Sequence, residues 1–154
     1  MDEDAFRNTL QALNRDDCLF EKAVLICRHA CRNARMIGIG ERSVVGCSAP
    51  AAREKCRELL ALLHSNATFA LHLSDTSRLA HGKEIRVQCG GLQGLQQALA
   101  AEDDEGARAI ADIAALVEQA ETNFNGLENL PFSRMVRAIV HFEARKRRKN
   151  PDRI

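Results

Sequence analysis

The sequence predicts an all-α fold: a single-domain bundle of about five helices over residues 1–150, with a small inserted β-hairpin as an option. Three observations point there. Apolar residues recur at i, i+3, i+4 and i+7 through most of the chain, the period of a helix with one buried face. Polar or proline-containing breaks divide those segments at helix-like lengths. The 154 residues are 45% hydrophobic and 28% charged, enough for one domain with a proper core.

A first short helix fits Asp4 to Leu13, with Phe6, Leu10 and Leu13 on one side. Asn14-Arg15-Asp16-Asp17 breaks it and supplies an Asp to cap a second helix. The second helix is predicted from about Asp17 to Met36, on the stripe Phe20, Ala23, Val24, Cys27, Cys31 and Ala34. Gly38, Gly40 and Gly46 mark a connection. Ser48 and Pro50 start a third helix, because a proline in the first turn loses no hydrogen bond. Its inward face is Ala52, Cys56, Leu59, Leu60 and Leu63. A short link makes helices two and three antiparallel neighbours.

Thr68 to Leu73 and Glu84 to Cys89 both alternate, so they form the optional hairpin; equally, the first of them continues a helix. Gly90, Gly91 and Gly94 then turn into a helix reaching Ala101. Asp103 or Asp104 caps a helix over Glu105 to Glu121, with Ala107, Ile110, Ala114 and Val117 inward. The last helix begins near Pro131, carries Met135, Val136, Ile139 and Val140, and ends in a basic tail over 145–154.

Composition excludes some functions. The net charge is +1, so any polyanionic partner must be met by a local patch. There is no Trp and no Tyr, which disfavours a surface that stacks on bases or sugars. No apolar stretch reaches the roughly 18 residues of a membrane span. The acidic start Met1-Asp2-Glu3-Asp4 is the reverse of a signal peptide's basic lead. The default expectation is a cytoplasmic protein with reduced thiols rather than a disulfide framework.

Six cysteines stand at 18, 27, 31, 47, 56 and 89, with no Cys-x-x-Cys pair. Zinc ribbons, thioredoxin-like sites and ferredoxin spacings are therefore unsupported. Cys27 and Cys31 share a helix face. If helices two and three form an antiparallel hairpin, Cys27, Cys31, Cys47 and Cys56 approach one end of it. Four thiolates there could hold Zn²⁺ or an iron–sulfur cluster, with Cys18 and Cys89 as alternative ligands. Plain packing is the weightier account of the same positions, since free Cys behaves as a small buried hydrophobe. Arg28, Arg32, Arg35 and Arg53 flank the group and could offset thiolate charge, or simply form a solvated face.

Other motifs are weaker. His29 lies between Cys27 and Cys31 but is predicted on the opposite helix face, so it is no base for them. No Ser-His-Asp, HExxH or paired-carboxylate arrangement is present, which speaks against an enzyme. Glu102-Asp103-Asp104-Glu105 reads as a solvated helix start. A strand, the glycine turn and a helix start around Lys83 and Arg86 could bind an anion; a tight, closely packed turn fits better. Arg145, Lys146, Arg147, Arg148 and Lys149 could bind phosphates or an anionic surface, or complement a helix C-terminus.

The sharpest reading is a cytosolic, cysteine-rich protein that binds a metal or iron–sulfur cluster in a structural, sensing or redox role. The alternative is a non-enzymatic helical adaptor or regulator. It would bind protein or nucleic acid through the arginine-rich face and basic C-terminal helix. A redox-sensing thiol protein is a third option.

Overall fold

A computed structural model describes residues 2–71, 80–100 and 109–143. The fold is mostly helical, with one two-stranded antiparallel hairpin. In order, the elements are α1 (Glu3–Leu13), α2 (Glu21–Ile26), β1 (Ala34–Ile39), β2 (Arg42–Cys47) and α3 (Pro50–Ala67). There follow α4 (His81–Ile85), a π-helical segment (Arg86–Gly90), α5 (Gly91–Leu99), α6 (Ile113–Phe124), a 3-10 turn (Leu127–Asn129) and α7 (Phe132–His141). Among the described residues, no helix is long and apolar enough to cross a membrane.

The centre is the unbroken helical run from α4 through the π segment to α5. Ile85, Val87, Gln88, Cys89, Gly90, Gly91, Leu92, Gly94 and Leu95 are all buried. A helix buried on nearly every side has no single apolar stripe. That explains why Glu84 to Cys89 alternates like a strand in sequence; the expected strand there is helix instead. The partner segment expected at Thr68 to Leu73 is not a strand either over its described part. The chain turns through Thr68–Leu71 just after α3, and residues 72 and 73 lie outside the described residues.

The glycines serve helix packing and not a turn. A Cβ at Gly90 would come within 2.7 Å of the Ile139 Cα. One at Gly94 would lie 2.9 Å from the Met135 Cα, and one at Gly91 would lie 2.8 Å from a Leu63 methyl. Bare backbone therefore lets α7 and α3 close directly onto the central run. The core joins Leu59, Leu63, Val87, Leu92, Leu95, Ile113, Val117, Leu127, Met135 and Ile139 in one cluster, with Phe20 and Ala23 of the α2 region.

The largest correction concerns helix two. It spans only Glu21–Ile26, not Asp17 to Met36, and the antiparallel helix pair expected with α3 does not form. Arg28 takes a left-handed conformation (φ 57°), and the amides of Cys27 and His29 both bond to the Ala23 carbonyl. The chain then pairs elsewhere: the Ala30 amide donates to the Ile110 carbonyl, and the Ile113 amide donates to the Ala30 carbonyl. His29 is buried and its Nδ1 accepts from the Ile110 amide. Long-range hydrogen bonds replace the helical ladder that the apolar spacing predicted.

The hairpin follows at once, at the segment read as a glycine connection. Ala34 pairs with Cys47 and Ile39 with Arg42. Gly40 supplies the positive φ (62°) that such two-residue turns need at their first central position. Val44 and Val45 are buried and β-branched, as suits a strand. α1 lies against this hairpin: Arg42 stacks over the Phe6 ring at 4.3 Å and pairs with Glu3. None of α1's side chains is buried, so its predicted inward face is only partly covered.

Helix starts were easier to place. Asp2 caps α1, accepting from the Ala5 amide, and Pro50 opens α3. α7 begins at Phe132, beside the expected Pro131. α6 starts later than expected, with Asp112 as its cap instead of Asp103 or Asp104. Residues 101–108 and the basic run 145–149 lie outside the described residues. α7 itself ends at His141, short of that run, as Arg86 donates to the Val140 and Phe142 carbonyls.

Gly90→Ala and Gly94→Ala should each destabilise the fold by about 1–3 kcal/mol, read from urea unfolding, because the neighbouring groups that must move are packed backbone. Gly82→Ala has nothing within 4 Å of the new carbon. It should be neutral or stabilise by about 0.4–1 kcal/mol. Equal effects at all three positions would show that the glycines do not set the helix spacing.

Candidate metal centre

The six cysteines separate into two groups. Cys27 and Cys89 form a disulfide, with Cα atoms 6.4 Å apart. It joins the end of α2 to the central helical run. Cys18, Cys31, Cys47 and Cys56 are free and half-buried. The expectation of wholly reduced cysteines therefore does not hold for the first pair.

The four free thiols line one small recess, together with Phe20, Ala34, Ala52 and Ile113. Each comes from a different stretch of the chain. Cys18 sits in the turn before α2, where its amide donates to the Val45 carbonyl and its own carbonyl accepts from Glu21. Cys31 follows the left-handed turn at Arg28. Cys47 ends β2; its amide donates to the Asp16 carbonyl and its Sγ faces the Ala49 carbonyl at 3.5 Å. Cys56 lies in the second turn of α3. The start of α6 closes the recess through Ile113 and Ala114.

Of the predicted quartet, Cys31, Cys47 and Cys56 meet here, and Cys18 stands where Cys27 was expected. Had helix two continued, Cys27 and Cys31 would have shared a face. The turn at Arg28 sends Cys27 toward Cys89 and Cys31 toward the recess. Cys18 was weighed only as an alternative ligand, because its place depends on the pairing of residues 16–18 with β2.

The surroundings of the thiols are dry. Burial pushes the Cys56 thiol up to about 12, and the neighbouring sulfurs of Cys18, Cys31 and Cys47 add to the rise. Burial likewise raises Cys18 to about 11, opposed by a hydrogen bond from Phe20 and reinforced by Cys31 and Cys47. Both thiols are thus protonated at neutral pH and weak as nucleophiles. That pattern does not support the redox-sensing reading for these two.

The flanking arginines are not one face. Arg53 edges the recess and pairs with Asp17 at 2.6 Å. Arg32 is held by Asp112 and Glu118. Arg28 faces a different groove. Among the described residues, no three Cys, His, Asp or Glu side chains stand close enough to hold a single metal ion as they are placed.

One polar cluster escaped sequence reading. His64 on α3 meets Glu84 at 2.8 Å, and Gln88 donates to Glu84 at 2.8 Å. The Gln88 Oε1 in turn accepts from the Ala23 amide. Burial opposes ionisation of Glu84, but bonds from His64 and Gln88 outweigh it and hold the carboxyl below its usual range. This chain pins α2 and α3 to the central run. Nothing in its residue spacing (positions 23, 64, 84 and 88) signals it.

The raised thiols give the metal-free chain a pH dependence with a definite sign. A thiol whose folded pKa exceeds its unfolded value stabilises fully below the unfolded value. That contribution is lost as pH rises from about 9 toward the folded values of about 11 and 12. Urea midpoints should therefore fall between pH 9 and 11, and fall less in a Cys18→Ala, Cys56→Ala variant. Parallel profiles for the two proteins would contradict the burial of these thiols.

No protein-family model, curated protein or solved structure matches this chain, which leaves the chemistry of the site as the ground for its function.

Proposed function

We propose that the protein holds a thiolate-bound metal centre on Cys18, Cys31, Cys47 and Cys56. The observation that carries this is the convergence of all four free cysteines, from two connecting segments, a strand and a helix, on one recess. Four Cys ligands are the donor set of both structural zinc and iron–sulfur clusters. Either would require the thiols to move, since the recess has a free volume of about 20 Å³. A single Zn²⁺ needs four sulfurs at about 2.3 Å from one point. A polynuclear cluster presents its irons at separate corners and is satisfied by thiols set further apart. Because Cys18 and Cys56 are protonated when metal-free, loading must release protons and weaken as pH falls. The role would be structural, sensing or redox; the disulfide at Cys27 takes no part in it.

A second reading rests on the same burial. Half-buried thiols of raised pKa are also what small apolar side chains at a helix–hairpin junction look like. In that case the site is packing alone, and the protein is a helical adaptor or regulator.

Anaerobic purification without a metal-binding tag, followed by an absorbance spectrum and elemental analysis, separates the two. The metal reading predicts sulfide-to-iron charge-transfer bands with stoichiometric iron and sulfide, or one zinc in colourless protein. Cys→Ser at 18, 31, 47 or 56 should remove the metal, whereas Cys27→Ser should not. Metal-free, folded protein after reconstitution with iron and sulfide, or with zinc, would establish packing instead.

A further inference from the structure

A second, larger recess lies away from the thiols, between the end of α2, α5 and α7. It is a half-open groove of about 1010 Å³. Arg28, Arg134, Arg137 and His141 line it together with Gln93 and Gln97. Glu143 is the one acidic side chain among the lining residues.

Three nitrogen-bearing side chains of the groove form a row. Arg134, Arg137 and His141 are three and four residues apart on α7, so they share one face. It is distinct from the buried face of Met135 and Ile139. At about 1.5 Å rise per residue they step roughly 4.5 and then 6 Å along the helix. Arg32, Arg42 and Arg53 are each paired with carboxylates. Among the described residues, Arg28, Arg134 and Arg137 have no ion-pair partner. On the facing wall Gln93 and Gln97 are one helical turn apart and offer amide groups on a matching rise. The close approach of α5 and α7 at Gly94 keeps the two walls near each other.

We propose that this groove binds the sugar–phosphate backbone of a single-stranded nucleic acid without reading its sequence. A single phosphate is best held by donors that converge on one point. Several arginines spread along one groove fit a polymer of repeating phosphates, and guanidinium groups are the preferred phosphate partners. A duplex is too wide to enter a gap between neighbouring helices. With no Trp or Tyr in the chain, affinity rests on phosphate contacts more than on stacking, and therefore on salt. This site is independent of the metal centre and would stand if that centre proved to be packing.

Fluorescence anisotropy of a labelled oligo-dT, titrated with the full-length protein, tests it. Binding should weaken linearly in log salt with a slope of about −2, three contacts at roughly 0.7 each. Arg134→Glu with Arg137→Glu should lower affinity at least about tenfold, while Arg134→Lys with Arg137→Lys keeps most of it. Both positions are exposed, and circular dichroism checks that each variant is folded. The same charge reversal is made in a full-length protein whose Arg145, Lys146, Arg147, Arg148 and Lys149 are Gln; the loss should persist there. The proposal fails if the oligonucleotide does not bind at low salt, or if reversal at 134 and 137 changes nothing. It fails also if duplex binds as tightly as single strand, or if inorganic phosphate displaces the strand at equal phosphate concentration.

Discussion

The closeness of α7 and α3 to the central helical run is the constraint on which the rest of the structure depends. Gly90, Gly91 and Gly94 remove the side chains that would hold those helices apart. The run is consequently buried on nearly all sides, and its few polar groups must find partners inside the protein. Gln88 does so by bonding the Ala23 amide and Glu84, and Glu84 by meeting His64. Cys89 is tied covalently to Cys27. Two neighbouring residues of the run thus fix where α2 lies and where it stops.

The end of α2 decides the chemistry. Beyond Cys27 the chain reverses through Arg28 and pairs with residues 110–113, so Cys27 and Cys31 leave in opposite directions. One cysteine is committed to the core and the other to the recess shared by Cys18, Cys47 and Cys56. The same turn places Arg28 at the mouth of the cationic groove. A single break in a short helix therefore separates a dry, thiol-lined pocket from a half-open, arginine-lined one. Dry walls keep Cys18 and Cys56 neutral, and a bound cation would make their deprotonation favourable near neutral pH.

Much of the helical framework was legible in the sequence, because its signals are local. α1 starts at Glu3, one residue before the expected Asp4, Pro50 starts α3, and Pro131 directly precedes α7. The inward residues Leu59, Leu60, Leu63, Val117, Met135 and Ile139 follow from a period of 3.6. The hairpin was misplaced because its evidence is not local. Residues 27–34 carry an acceptable helical stripe, but the Cys27–Cys89 disulfide and the bonds of Ala30 to Ile110 and Ile113 take the place of the helix. The buried run at 85–90 alternates by chance, since every side of it is apolar or packed. The candidate site was half legible for the same reason. Cys56 sits on α3, whose start the sequence marks, and Cys47 lies just before that start. The exchange of Cys27 for Cys18 depends on where α2 ends, which tertiary contacts alone determine.

Each of the six cysteines falls in a different tryptic peptide: residues 16–22, 23–28, 29–32, 43–53, 56–57 and 87–108. Mass mapping after alkylation under non-reducing, denaturing conditions therefore reads the partition of the sulfurs directly. The account predicts one linked pair, 23–28 with 87–108, and four alkylated peptides carrying Cys18, Cys31, Cys47 and Cys56. A disulfide between any two of those four, or Cys27 bonded to one of them, would contradict it.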